Sequence, residues 1–289
     1  MSHQFTLEDI TAILLDEHQD RMSGSIPPKA LNKILYFAAD DLGRAGVDAD
    51  IPYFWYMWGT ALATANTGIH RRETSRGNRV VCDSSVSDIQ APRHEIQKVR
   101  EVLSGNLQHY YGNRLEGITD EMYREAPHAV QRVFREFDKL LEVATDQEQA
   151  TLFGDNNQSE SRRTMLEFVE EFPTDVYPVF EDDLLVWYRL MSAELNADEF
   201  DPDEAQKIAK QFWRMFCLEL ARRENNDVSQ ADIEAELDID DIDEEIELMR
   251  SDIYNQEREM ARRNARGTEA AQKAAEAIVV PYLDISIEV

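Results

Sequence analysis

Residues 27–62 read PPKALNKILYFAADDLGRAGVDADIPYFWYMWGTAL, and this stretch decides the fold. Pro27-Pro28 can open a helix, because the N–H that proline lacks has no intrahelical partner in the first turn. Leu31, Ile34, Leu35, Ala38 and Leu42 then recur at helical spacing, and Gly43 offers a stop. Residues 51–58 read as a strand with Pro52 at its edge. Tyr53, Trp55 and Met57 face one way and Phe54, Tyr56 and Trp58 the other. Both faces are apolar, so both are expected to be covered, by the protein's own core or in part by a partner.

Outward from this stretch, Thr6 ahead of Glu8 and Asp9 starts a helix over 5–20, with Ile10, Ile13 and Leu14 on one face. Residues 79–86 suit a neighbouring strand, and helices are expected at 92–104 and 127–144. The glycines around 104–117 are spaced like turns. From 144 to 163 the chain is polar and weakly periodic, which predicts a first domain over 1–148, a linker over 149–163 and a helical acidic domain over 164–289. Residues 282–289 alternate strictly between apolar and polar, as a half-buried strand does. The fold class is therefore α+β and mostly helical: a small aromatic-rich sheet with packed helices, then acidic helices ending in a strand.

From Ile239 the apolar spacing becomes 3.5 residues, through Ile242, Ile246, Met249, Ile253, Gln256 and Met260. Such a helix either packs on its own domain or forms a homodimer seam. The preceding segment, 229–250, has the rhythm of a helix-turn-helix, but its second helix presents carboxylates where a DNA reader needs Arg, Asn or Gln. Residues 232–247 hold ten acids and no base, which reads as a solvated face or a docking surface for a basic protein.

The chain carries 58 acids and 30 bases, a net charge of −28, with 7 Lys against 23 Arg. A carboxylate-rich, lysine-poor surface suits multimolar salt, where the Debye length falls to about 3 Å and self-repulsion is screened. This reads as the adaptation of a salt-loving archaeon. Against that background an acidic patch says little and a basic patch says more. The loop from His70 to Arg79 concentrates Arg71, Arg72, Arg76 and Arg79 among Ser, Thr, Asn and Gly, a set that can hold phosphates or make internal ion pairs. Cys82 and Cys217 are too few for a disulfide framework or a thiolate metal site. Neither a secretory leader nor an apolar run of membrane-spanning length stands out, so a cytoplasmic location is expected. No histidine pair at i, i+4, phosphate loop or nucleophile elbow appears, so neither metal, cofactor nor enzymatic activity is expected.

The string Lys33-Ile34-Leu35-Tyr36-Phe37, followed by Phe54-Trp55-Tyr56 and then Trp58-Gly59, resembles the Panacea antitoxin-like domain. That family shows a K-L-L-Y-F helix and an aromatic segment ending in Tyr-Gly-Pro. Met122-Tyr123-Arg124-Glu125-Ala126-Pro127 is similar to its downstream tyrosine and acidic-Pro motif. The resemblance spans roughly residues 5–145 and departs from the pattern at Gly59-Thr60, where the family has Gly-Pro. It implies a non-enzymatic protein that neutralises a cognate toxin or adapts one protein to another. The partner-binding residues would then be Tyr36, Phe37, Tyr53, Trp55, Tyr56, Trp58 and Gly59, since Trp and Tyr serve as interface anchors. The alternative is a DNA-associated regulator that contacts phosphates through the arginine loop.

Overall fold

A computed structural model describes residues 3–21, 25–75, 77–145, 147–197 and 200–267. The chain begins with strand β1 (Gln4–Phe5) and helix α1 (Leu7–Arg21). Thr6 caps α1 reciprocally with Asp9: the Asp9 N–H donates to Thr6 Oγ1 at 3.2 Å and the Thr6 N–H to Asp9 Oδ2 at 3.0 Å. Helix α2 (Pro28–Arg44) follows, and its expected apolar face is fully buried. Its stop is Gly46, not Gly43. Gly46 takes φ +69°, its N–H donates to the Gly43 carbonyl, and the Val47 N–H reaches back to Leu42. That paired closure satisfies the last carbonyls and needs left-handed backbone, which glycine adopts without strain.

Next come β2 (Asp48–Ala49), β3 (Tyr53–Tyr56), β4 (Gly59–Leu62), β5 (Ile69–Arg72) and β6 (Arg79–Cys82). Helices α3 (Arg93–Arg124), α4 (Ala129–Thr145), α5 (Gln147–Glu170), α6 (Glu181–Leu195) and α7 (Pro202–Arg223) follow. Strand β7 (Asn225–Asn226) and helices α8 (Gln230–Leu237) and α9 (Ile242–Gly267) complete the described chain. The fold is α+β and mostly helical, as expected. Among the described residues no helix is long and apolar enough to cross a membrane.

Three differences from the sequence reading matter. The glycines at 105, 112 and 117 lie within α3, which breaks once, at Arg114, where φ is 59°. Residues expected as a linker are helical throughout α5. Strand β6 pairs antiparallel with β5 and leaves β3 to other neighbours. Those neighbours are β4, and β7 from far along the chain, in the order β4-β3-β7. The terminal strand expected at 282–289 lies outside the described residues.

The chain divides into two compact units, each built from separate stretches of sequence. The first joins residues 1–135 with 213–245, and the second joins 136–212 with 246–289. The expected cut at 149–163 gives way to boundaries inside helices.

In the first unit α1, α2 and α3 share one core, with Ile10, Ile13, Ile34, Leu35, Val99 and Leu103 completely buried. In the second unit an aromatic cluster takes that role. Trp187 stacks on Phe212 with centroids 5.3 Å apart, and Phe168 packs against Trp187 at 4.7 Å. Asp183, nearly buried there, accepts from Arg250 Nε at 2.9 and 3.0 Å.

Candidate functional site

The aromatic stretch divides into a buried part and a part that lines a cleft. On α2 the positions one turn apart, Tyr36, Asp40 and Arg44, form a row beside the apolar face, with Phe37 and Asp41 next to it. Tyr53 of β3 stands against this row, its ring 5.3 Å from Tyr36. Helix α3 closes the other side with Asn106, His109, Glu121 and its C-cap residue Glu125. Together with Asn226 of β7 these residues line a cleft of about 740 Å³ in the first unit.

Its polar groups are held in fixed pairs. Arg44 reaches Asp40 at 2.5 Å and Asp41 at 2.9 Å, and Asn106 Nδ2 donates to Asp41 at 3.1 Å. His109 Nε2 lies 2.6 Å from Glu121. The Tyr36 hydroxyl faces Glu125, and burial, followed by the Glu125 charge, pushes the phenol far above its ordinary range. Burial and then the Asp40 charge raise Tyr53 as well. Both phenols therefore stay protonated, as hydrogen-bond donors, at any physiological pH.

The aromatic strand ends in a tight turn. Met57-Trp58 joins β3 to β4, with Tyr56 opposite Gly59. The Met57 carbonyl accepts from Tyr123 Oη and from Trp213 Nε1, both at 3.2 Å. The Trp58 carbonyl accepts from the buried Lys33 Nζ at 2.9 Å. Gly59 has φ +103°, and a Cβ there would fall 1.7 Å from Met122 Cε. The helix, the aromatic strand and the 122–125 segment, which lie far apart in sequence, thus pack together around one turn.

Of the seven aromatic-module residues, Tyr36, Phe37 and Tyr53 line the cleft. Trp55 does not, and its role as an exposed anchor is corrected: it is 4% exposed, packed against Tyr36 and Tyr123. Tyr56 is half-buried, and the Arg214 charge partly offsets the upward push of burial on its phenol. Trp58 lies under the Lys29 ammonium, which is 5.8 Å from its ring, and Gly59 is buried.

The arginine loop is the tip of the β5–β6 hairpin. Arg71 is tied to Glu236 of α8 at 2.8 Å, so it serves an internal pair. Glu236 also accepts from the Thr64 N–H at 2.7 Å and its hydroxyl at 2.8 Å. Arg72 and Arg79 stand directly opposite each other in the ladder. Arg76 lies outside the described residues.

The heptad residues Ile242, Ile246, Met249 and Ile253 are 0–8% exposed within this chain, which leaves them no surface to offer a second copy. Gln256 hydrogen-bonds Gln211 at 2.8 Å, and Met260 is half-buried. The helix-turn-helix rhythm does correspond to a corner, α8 to α9, turned by Asp238 at φ 55°.

Asp40, Asp41, His109 and Glu121 were not singled out in the sequence, and Glu125 stood out there only as part of the acidic-Pro motif. The usable signal was the one-turn spacing from Tyr36 to Asp40 to Arg44, hidden by an acidic background. Among the described residues no group of three or more His, Cys, Asp or Glu could hold a metal ion. No family model, no curated protein and no solved structure matches the chain.

Proposed function

We propose that this is a non-enzymatic protein-binding chain, of antitoxin or adaptor type, that holds a partner protein at the aromatic cleft of its first unit. The observation that carries the reading is the cleft itself. Three rings of the aromatic module line it, and a volume of about 740 Å³ falls in the range of binding pockets, roughly 300–1,000 Å³. The packing of Met122, Tyr123 and Glu125 on α2 and the hairpin also supports the Panacea-like resemblance, since those residues carry its motifs. The acidic, lysine-poor composition suits the cytoplasm of a cell that accumulates salt. The test is a tagged pull-down in multimolar KCl, with wild type beside Tyr36→Ala/Tyr53→Ala. One stoichiometric protein, retained by wild type and lost by the variant, is expected. Equal retention by a folded variant would sink the reading.

A second reading, DNA contact through the hairpin tip, is favoured by one observation. Arg72 and Arg79 face each other across the ladder, an arrangement that costs stability unless an anion lies between them. Its test is salt-dependent DNA binding that falls in Arg72→Ala/Arg79→Ala, with the slope of log K against log salt reduced by about two phosphate contacts.

A further inference from the structure

We propose that the cleft between α2 and α3 receives the guanidinium of an arginine side chain carried by a basic segment of the partner; this rests on the docking reading above. Acid alone says nothing on a chain with a net charge of −28. The concavity and the rings of Tyr36, Phe37 and Tyr53 single this cleft out.

Four carboxylates line it, at Asp40, Asp41, Glu121 and Glu125. Arg44 is shared between the first two, and Glu121 is held by His109. Glu125 differs from the others. No ion pair holds it among the described residues, and the group that faces it is the neutral Tyr36 hydroxyl, so its charge has no counter-charge of its own within the cleft. It is also exposed and caps the C-terminal end of α3, where the helix dipole adds partial negative charge. The site thus presents an anion without a counter-charge beside aromatic rings.

A guanidinium fits this chemistry better than an ammonium. It is planar, so it can lie on a ring and present two N–H groups to one carboxylate. It is also more weakly hydrated. In multimolar salt only contact pairs survive screening, and the cation that sheds water more easily gains the advantage.

The experiment is isothermal titration in multimolar KCl, with a blocked tetra-arginine peptide and its tetra-lysine counterpart as probes. Three proteins are compared: wild type, Asp40→Asn/Glu125→Gln, and the control Asp240→Asn/Asp241→Asn on the acidic α8–α9 corner. All four positions are exposed, so the near-isosteric changes leave the fold intact. The arginine peptide should bind wild type and weaken about tenfold or more in the cleft variant, the order expected when charge-assisted contacts are lost. The control should stay within about twofold, and the lysine peptide should bind wild type about fivefold more weakly than arginine. Equal losses in both variants, equal affinity for the two peptides, or no binding would each overturn the inference. A protein retained in the pull-down without arginine-peptide binding would sink the inference and spare the docking reading. Peptide binding at the cleft with no retained protein would do the reverse.

Discussion

Lys33 is 4% exposed, and its ammonium has the Trp58 carbonyl as its hydrogen-bond acceptor. Burial, and then the charges of Lys29 and Arg135, lower its pKa from 10.5 to about 8. Below about pH 8 the side chain is charged in both folded and unfolded chains, and the full cost of burying that charge is present. Between about 8 and 10.5 the unfolded chain holds a proton that the folded one has released, so stability rises with pH. The gain has an upper bound of roughly 3 kcal/mol from the size of the shift. Wild type should therefore gain stability relative to Lys33→Met between pH 7 and pH 9.5, as read from urea midpoints in KCl; a constant difference would contradict the burial argument. Gly59 makes the second residue-scale prediction. With φ +103° and Met122 in the space of a Cβ, Gly59→Ala should cost about 2–4 kcal/mol. Adding Met122→Ala should not restore it, because the backbone strain remains.

At the scale of elements, α9 is held to α6 by an ion pair that admits a double-mutant test. Asp183 is 2% exposed, and burial raises its pKa while Arg250 opposes the rise. Arg250→Met leaves a buried carboxylate unpaired and should destabilise the second unit by about 3 kcal/mol. Asp183→Asn/Arg250→Met should cost less than Arg250→Met alone, since the orphaned charge is gone. Equal losses in denaturant titrations would show that the pair contributes packing and little else. The same elements show what was legible in the sequence. The 3.5-residue spacing matches a long helix with one apolar seam from Ile242 onward, Ile239 falling in the corner before it, but spacing cannot say whose surface covers that seam. Burial of Ile246 and Ile253 within this chain answers it. Helix α5 escaped because its polar residues and Gly154 resemble a linker. A single mid-helix glycine costs only about 1 kcal/mol, less than flanking helical turns can supply. The β7 edge of the aromatic sheet escaped for a different reason. Two asparagines carry no strand pattern, and their pairing with Tyr53 and Phe54 is set by tertiary contacts.

For the whole molecule, charge was the property most directly readable from composition, and it also concealed the candidate site. With 58 acids in the chain, the carboxylates of Asp40 and Asp41 carried no distinguishing mark until the fold set them in one cleft with Tyr36 and Tyr53. The same charge governs stability. In the folded chain a net of −28 is confined to a small volume, and unfolding lets the carboxylates move apart. At about 0.1 M salt the Debye length, about 10 Å, exceeds the spacing of neighbouring surface charges, so repulsion favours the unfolded chain. At 1 M it falls to about 3 Å, and most of that repulsion disappears. The internal ion pairs are affected less, because they are in contact: Arg71 with Glu236 at 2.8 Å and Arg214 with Glu245 at 2.9 Å. The balance predicts a thermal midpoint that climbs with KCl by about 10 °C or more between 0.1 M and 2 M, given that each kcal/mol moves a chain of this size by about 2–4 °C. Differential scanning fluorimetry across a KCl series would measure it, and a flat or falling midpoint would show that carboxylate repulsion does not limit this fold. Substituting lysines at exposed acids that do not line the cleft, such as Asp240 and Asp252, should flatten the dependence by raising the low-salt midpoint most. That outcome would separate screening of repulsion from a general strengthening of apolar burial by salt, which those substitutions would leave unchanged.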